Sequence, residues 1–368
     1  MSQIEQALDA IDAAVGQTVD PAMLVMRAKC RALLRGYHAR FAARNTYRPI
    51  QVEELVATPL WNPETKCASR TFSLAGRLDV LARDEDDRLL VIDHKTTSQD
   101  VSDPDAPYWR QLRVEAQPTH YMLLMWLNGQ KCDSALWDTV RKPTISPKKL
   151  AKKDHVAATS MGEYFGAKLS ETTQRMLVSN DRETPEMYEA RLTNDCIKER
   201  PEWYFQRRPV PRLDGELLEQ AQEIWDYGQE IILARRNARH GRNDGACMAY
   251  GSACRYLGIC SGYDSPESAN WRVKANCHSE LPEIDGDGRD VLTYSRLRCF
   301  KTCRRKHYYR YELGIEKIDE EEREALLFGH VWHEGLREWW NFLKEKSDGS
   351  DISSPATEAG KRVDASTV

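Results

Sequence analysis

The sequence predicts an α/β protein, and three observations carry that expectation. Gly76–Arg83 and Arg88–His94 are apolar runs around the acidic turn Asp84-Glu85-Asp86-Asp87, the pattern of a β-hairpin with buried or half-buried strands. Residues 2–16, 21–44 and 108–129 carry apolar side chains at helical spacing. With 368 residues, 41% of them hydrophobic, the chain can build one large domain or two ordinary ones.

Taken in order, the first helix has an amphipathic, acid-containing start that does not read as a signal peptide. The second is entered at Asp20-Pro21, with Met23, Leu24, Met26, Leu33, Leu34 and Tyr37 on its apolar positions. Ile50–Ala57 reads as a strand, followed by the hairpin. Thr96–Pro107 is a polar loop, Tyr108–Gly129 a helix and Cys132–Lys142 a strand. Residues 143–180 are Lys-rich and weakly patterned, an insertion. Thr184-Pro185-Glu186 opens a helix to about Lys198, Glu202–Arg212 is extended, and Asp214–Ala238 is a long helix. No apolar run is long enough to span a membrane, so the expectation is a soluble intracellular protein.

The hairpin departs from apolarity in an informative way. Asp79 interrupts its first strand, and Asp93 and Lys95 close the second, where charge is costly unless paired or bound to metal. Period-2 alternation puts Asp93 and Lys95 on one face. Carboxylates there can hold Mg²⁺ or Mn²⁺, and the ammonium can orient a water or stabilise phosphoryl charge, the layout for metal-assisted phosphodiester hydrolysis.

Asp79 … Asp93-His94-Lys95, followed by Gln117-Pro118-Thr119-His120-Tyr121, resembles the PD-(D/E)XK nuclease superfamily, in particular its RecB-like branch with a Q-x-x-x-Y helix. The resemblance implies a restriction-endonuclease-like core, a central mixed sheet flanked by helices, with a helical subdomain and a cysteine-ligated cluster. It implies catalytic roles for Asp79, Asp93, Lys95, Gln117 and Tyr121, and for Glu53 on the preceding strand. It also implies a metal site of His333, Asp79, Asp93 and the His94 carbonyl. Asp93 stands where the family more often has glutamate, a mild change chemically.

Ten cysteines in a chain expected to be reduced argue against a disulfide framework. Cys247, Cys254 and Cys260 fall on one Gly-containing loop, three thiolates where a metal or cluster wants four. Residues 291–340 resemble the amino-terminal opening of the same family, whose Y-S-R-L … C-x-R-K helix supplies a cluster cysteine and whose F-G-x-x-x-H helix supplies a metal-binding histidine. By that resemblance Cys303 joins the three cysteines, around a [4Fe–4S] cluster or a Zn²⁺, and His333 joins the metal site. The segment follows the cysteine loop instead of opening the chain. A circular permutation is favoured over a tandem array whose sites are completed by another molecule. The implied organisation is a core at 1–143, an insertion, helical subdomain and cysteine loop at 144–281, a joint at 282–290, a completing segment at 291–345 and a disordered tail at 346–368.

A net charge of −4 requires any DNA contact to be local. Arg296–Arg310 holds seven Lys/Arg with Tyr308 and Tyr309 between them, and Arg304, Arg305, Lys306 and Tyr308 are the candidate contacts. The expected function is a metal-dependent DNA exonuclease acting on single- or double-stranded ends, in recombination, repair or phage DNA metabolism, with a recombination protein as the candidate partner. The alternative is a non-catalytic DNA-binding or assembly module that keeps the fold and the cluster.

Overall fold

The computed structural model describes residues 1–249, 252–278, 281, 288–318 and 324–350. Two capped helices come first. In α1 (Gln3–Val15) Ser2 and Glu5 form a capping box, and α2 (Pro21–Phe41) starts where Asp20 accepts from the Ala22 N–H with Pro21 at the first turn. They lead into β1 (Arg48–Trp61), β2 (Ala68–Arg83) and β3 (Leu89–Thr97), an antiparallel run. The acidic turn is closed by Asp84 Oδ1, which accepts from the Asp86 and Arg88 N–H groups, while Asp87 takes a left-handed φ of 62°.

The expected single helix over 108–129 is two, α3 (Pro107–Leu112) and α4 (Ala116–Leu127). Pro118 has no N–H to continue a helix from Val114, so the chain restarts with the proline in its first turn. The Arg212 guanidinium closes the gap by donating to the Leu112 and Glu115 carbonyls. These helices form the crossover that lets β4 (Ser134–Arg141) lie parallel to β3.

The insertion, α5 (Lys152–Ser160), β5 (Glu163–Tyr164), β6 (Ala167–Lys168) and α6 (Glu171–Leu177), closes over its own small core of Leu150, Ala158, Tyr164, Leu169, Leu177 and Met187. After α7 (Pro185–Asn194) and the short α8 (Pro201–Tyr204), the segment expected in a separate helical subdomain returns to the sheet. Its strand β7 (Phe205–Val210) pairs antiparallel with β4, covering an edge otherwise left open, and α9 (Asp214–Arg236) packs against α4. The cysteine loop carries α10 (Leu257–Ser261) and β8 (Trp271–Val273).

The late segment completes this sheet. β9 (Asp290–Leu292) pairs in parallel with Phe72–Leu74 of β2, beyond the stretch that pairs with β3. There follow α11 (Tyr294–Thr302), α12 (Arg304–His307), β10 (Ile315–Lys317), which pairs with β8, and α13 (Glu324–Ser350). Helix α13 thus runs through residues 346–350, where disorder was expected; 351–368 lie outside the described residues, as do 282–287 of the expected joint. The sheet order is β1-β2-β3-β4-β7 with β9 beside β2.

Alternation along the strands divides two cores. Val80, Ala82, Leu90, Ile92, Leu136 and Val140 face α1, α2 and α13, whose Trp332, Trp339 and Trp340 are fully buried; Leu81, Leu89, Val91, Ala135 and Trp137 face α4 and α9. The contact between α1 and α13 is close because Gly335 has no side chain: a Cβ there would sit 2.8 Å from Ile11 Cγ1.

Candidate active site

Two consecutive strands, β1 and β2, meet a helix from far along the chain, α13. Among the described residues, Glu53, Asp79 and His333 are the one group of three or more potential metal ligands whose donor atoms all lie within 4.8 Å of one another. His333 Nδ1 is 3.8 Å from Asp79 Oδ1, and Asp79 Oδ2 accepts the backbone N–H of His94 at 2.7 Å. Glu53 reaches the group by an unusual backbone. Its φ is 54°, a left-handed conformation inside a strand that costs a non-glycine residue about 1–2 kcal/mol. Arg77 pairs with it at 2.8 Å.

The second half of the site is on β3. Asp93 is 2% exposed and forms a short ion pair with Lys95, whose ammonium also lies 4.9 Å from the centre of the Trp137 ring. Gln117 Nε2 approaches Asp93 Oδ1 at 3.5 Å and donates to the Tyr121 hydroxyl at 3.0 Å, so the Q-x-x-x-Y pair does border the carboxylate. Gly76 makes room for it: a Cβ there would stand 3.0 Å from the Tyr121 ring.

Electrostatics sort these groups. Burial, with the Asp79 charge added, pushes Glu53 up to about 7. Burial pushes Asp93 up to about 6 despite Lys95. Asp79 behaves oppositely, because His333, His94, Lys95 and the His94 N–H outweigh the effect of burial and hold it below the usual carboxylate range. Burial lowers His333, keeping its imidazole neutral and able to ligate. Three carboxylates and a neutral imidazole at such close quarters make a donor set that suits a divalent cation.

Glu53, expected in a catalytic role and not among the metal ligands, stands with Asp79 and His333, whereas Asp93 is engaged by Lys95 beside them. The arrangement beneath His94 was not anticipated. Its imidazole is 3% exposed and points Nδ1 toward Asp138 Oδ2 at 3.2 Å; the same oxygen accepts from the Tyr37 hydroxyl at 2.5 Å and lies 3.3 Å from Arg207 Nε. Asp138 stays charged, held to about 2 by Arg207 and His94 against the effect of burial. A carboxylate inside the apolar strand Ser134–Arg141 was the available signal, of the kind that marks Asp79.

The four candidate cluster cysteines do meet. Cys247, Cys254, Cys260 and Cys303 line one small cavity with Tyr256, Leu257 and Tyr309. Asn243 N–H approaches Cys303 Sγ at 3.4 Å, and Cys254 N–H donates to the Cys247 carbonyl at 2.7 Å, which closes the loop on itself. No three of the thiols fall within the 4.8 Å spread of the carboxylate–imidazole group.

Part of the basic run is paired within the protein, one residue in the interior and others at the surface. Arg296 is 1% exposed and bonded to Asp290 and Glu312; Lys301 pairs with Glu223 and Arg304 with Glu230; Arg305 donates to the His240 carbonyl. Tyr308 stacks on His240 at 4.0 Å between ring centres, and Lys306 borders the cysteine cavity. These residues anchor the cysteine region to α9 as much as they present charge. No helix among the described residues is long and apolar enough to cross a membrane.

A family model described as the PD-(D/E)XK nuclease superfamily matches residues 2–261 and 291–366. No curated protein and no solved structure matches the chain.

Proposed function

The chain belongs to the PD-(D/E)XK nuclease superfamily, and we propose that it is a divalent-metal-dependent deoxyribonuclease of the RecB-like type, working from DNA ends. The observation that carries the reading is the approach of His333 to Asp79 and Glu53 beside the Asp93–Lys95 pair. A decayed site would be expected to lack at least one of these groups.

Asp79, Glu53 and His333 would hold Mg²⁺ or Mn²⁺, with Asp93 and the His94 carbonyl as the neighbouring oxygen donors; the imidazole makes Mn²⁺ a good fit. When bound, the ion supplies Lewis-acid polarisation of the scissile phosphate. Lys95 orients the attacking water and offsets phosphoryl charge, and its ammonium is kept cationic by Asp93 and Asp79 although burial opposes this. Gln117 and Tyr121 shape the wall along which the strand lies.

The four cysteines would hold a [4Fe–4S] cluster or a Zn²⁺ that ties the cysteine loop to the start of α12. The place of β9 and α13 in the first residues' sheet and helix layer supports a permuted chain order.

Purified protein incubated with end-labelled single- and double-stranded DNA, with Mg²⁺, Mn²⁺ or EDTA, tests the reading. Stepwise shortening from an end with Mn²⁺ or Mg²⁺, blocked by EDTA and by Lys95→Ala, is the expected result. Binding without cleavage under every metal condition would overturn it in favour of a non-catalytic DNA-binding module.

A further inference from the structure

Asp138 lies on β4, directly opposite His94 in the parallel β3–β4 register. Its side chain is 1% exposed, yet Tyr37, Arg207 and His94 all converge on its Oδ2. Arg207 is committed here too: its guanidinium donates to the Tyr37 hydroxyl at 2.5 Å and lies 3.9 Å from the Phe41 ring centre. Burying four polar groups costs several kcal/mol per ion before pairing offsets it, and well-packed apolar residues often serve stability as well or better. Stability alone is therefore a weak reason for this arrangement.

What the arrangement does fix is one residue of β3. His94 is held through its side chain by Asp138, and through its backbone it donates to Asp79 Oδ2 at 2.7 Å. That hydrogen bond occupies one oxygen of Asp79 and leaves Oδ1 as the atom nearest His333. The His94 ring also lies 6.2 Å from the His333 ring and 6.1 Å from Trp340, wedged between α13 and the sheet. A rotation of the His94 ring would leave its backbone N–H in the strand but move the surface against which α13, and with it His333, rests.

We propose that Asp138 is a positioning residue for the metal centre: it fixes the His94 imidazole, and that ring, packed between the sheet and α13, sets where His333 stands relative to Asp79. The inference rests on the metal-site reading given above. It extends that reading to a buried carboxylate that approaches the ligand cluster only through His94. Outer groups that orient ligands typically change metal affinity by about 10- to 100-fold when removed.

Mn²⁺ binding measured by titration calorimetry, with no DNA present, provides the test on the full chain. Wild type and Asp79→Ala come first: if wild type binds no Mn²⁺, or Asp79→Ala binds it equally well, the metal site itself is misassigned and the inference falls with it. Given a wild-type site that depends on Asp79, Asp138→Asn should weaken Mn²⁺ binding by about 10-fold or more. In the cleavage assay the Mn²⁺ concentration for half-activity should rise in parallel, with the rate at saturating metal within about threefold of wild type. His94→Leu, which removes the clamp from its other end, should weaken binding similarly and carries the test if Asp138→Asn does not fold. Leu217→Ala serves as the control, since Leu217 is buried in the core on the opposite face of the sheet, away from Tyr37, His94 and Asp138. It should lower the melting temperature and leave Mn²⁺ affinity unchanged. Folded Asp138→Asn or His94→Leu protein with wild-type Mn²⁺ affinity would overturn the proposal, as would an equal loss of affinity in Leu217→Ala.

Discussion

His333 Nδ1 stands 3.8 Å from Asp79 Oδ1, although one belongs to the hairpin and the other to the last described helix. The two meet because α13 packs across α1 and β1, its tryptophans filling the core on that face. Both halves of the group come from one chain. His333→Ala should therefore abolish metal-dependent cleavage and Mn²⁺ binding together. A mixture of His333→Ala and Asp93→Ala chains should remain inactive, because neither can lend the other its missing group. Recovery of activity in that mixture, measured on end-labelled DNA across a concentration series, would show that sites are assembled between chains.

Glu53 carries a prediction that separates stability from function. Its left-handed φ of 54° and its raised pKa both say that the folded, metal-free chain holds it at a cost. Glycine adopts this conformation freely. Glu53→Gly should stabilise the metal-free protein by about 1 kcal/mol in denaturant unfolding, while weakening Mn²⁺ binding and slowing cleavage. A variant that loses stability and keeps full metal affinity would contradict the role assigned to this residue.

The legibility of the chain followed how local each signal was. Capped helix starts, the hairpin turn and the Asp79/Asp93/Lys95 pattern depend on a few neighbouring residues, and most of these elements came within a few residues of their observed bounds, although β2 begins at Ala68, well before the apolar run at Gly76. Pairings that depend on the third dimension were harder to foresee. Phe205–Val210 looked merely extended, and nothing local told that it would cover the free edge of β4. The basic run at 296–310 read as a nucleic-acid surface because sequence gives charge without partners; Asp290, Glu312, Glu223 and Glu230 neutralise much of it. Asp138 was passed over although the argument that singled out Asp79 applied to it equally. Its partners Tyr37 and Arg207 lie on a helix and a strand that no spacing rule connects to it.

The cysteine cavity gives the third prediction. Cys303 is the ligand from the late segment, so Cys303→Ser should remove most of the bound metal from anaerobically purified protein. Wild type should carry about four irons per chain and visible absorption. The loss of metal should loosen the region around Tyr256, Trp271 and Tyr309 without disturbing the central sheet, detectable as hydrogen exchange confined to residues 241–278 and 303–317. One zinc and no iron in wild type would replace the cluster with zinc on the same ligands. Neither metal in fresh protein would remove the site.

The last prediction concerns pH and turns on the two carboxylates that burial raises, Asp93 to about 6 and Glu53 to about 7. In the unfolded chain both groups ionise near their ordinary values, about 4. Their contribution to metal-free stability is therefore present in acid and is lost as pH rises through about 6 to 7. Metal binding has the opposite sign, because a cation must displace any proton these groups still carry. Above about pH 8 both are ionised and Mn²⁺ binds without proton release from them. Near pH 5.5 they are largely protonated, and affinity should fall by on the order of tenfold or more. Calorimetry in two buffers of different ionisation enthalpy would count the protons released, which should rise as the pH is lowered toward 6. Glu53→Gln should weaken Mn²⁺ binding at every pH and remove the part of the dependence centred near 7, leaving the Asp93 part near 6. Mn²⁺ affinity that is flat from pH 5.5 to 8, or proton release unchanged in Glu53→Gln, would show that these carboxylates do not face the metal.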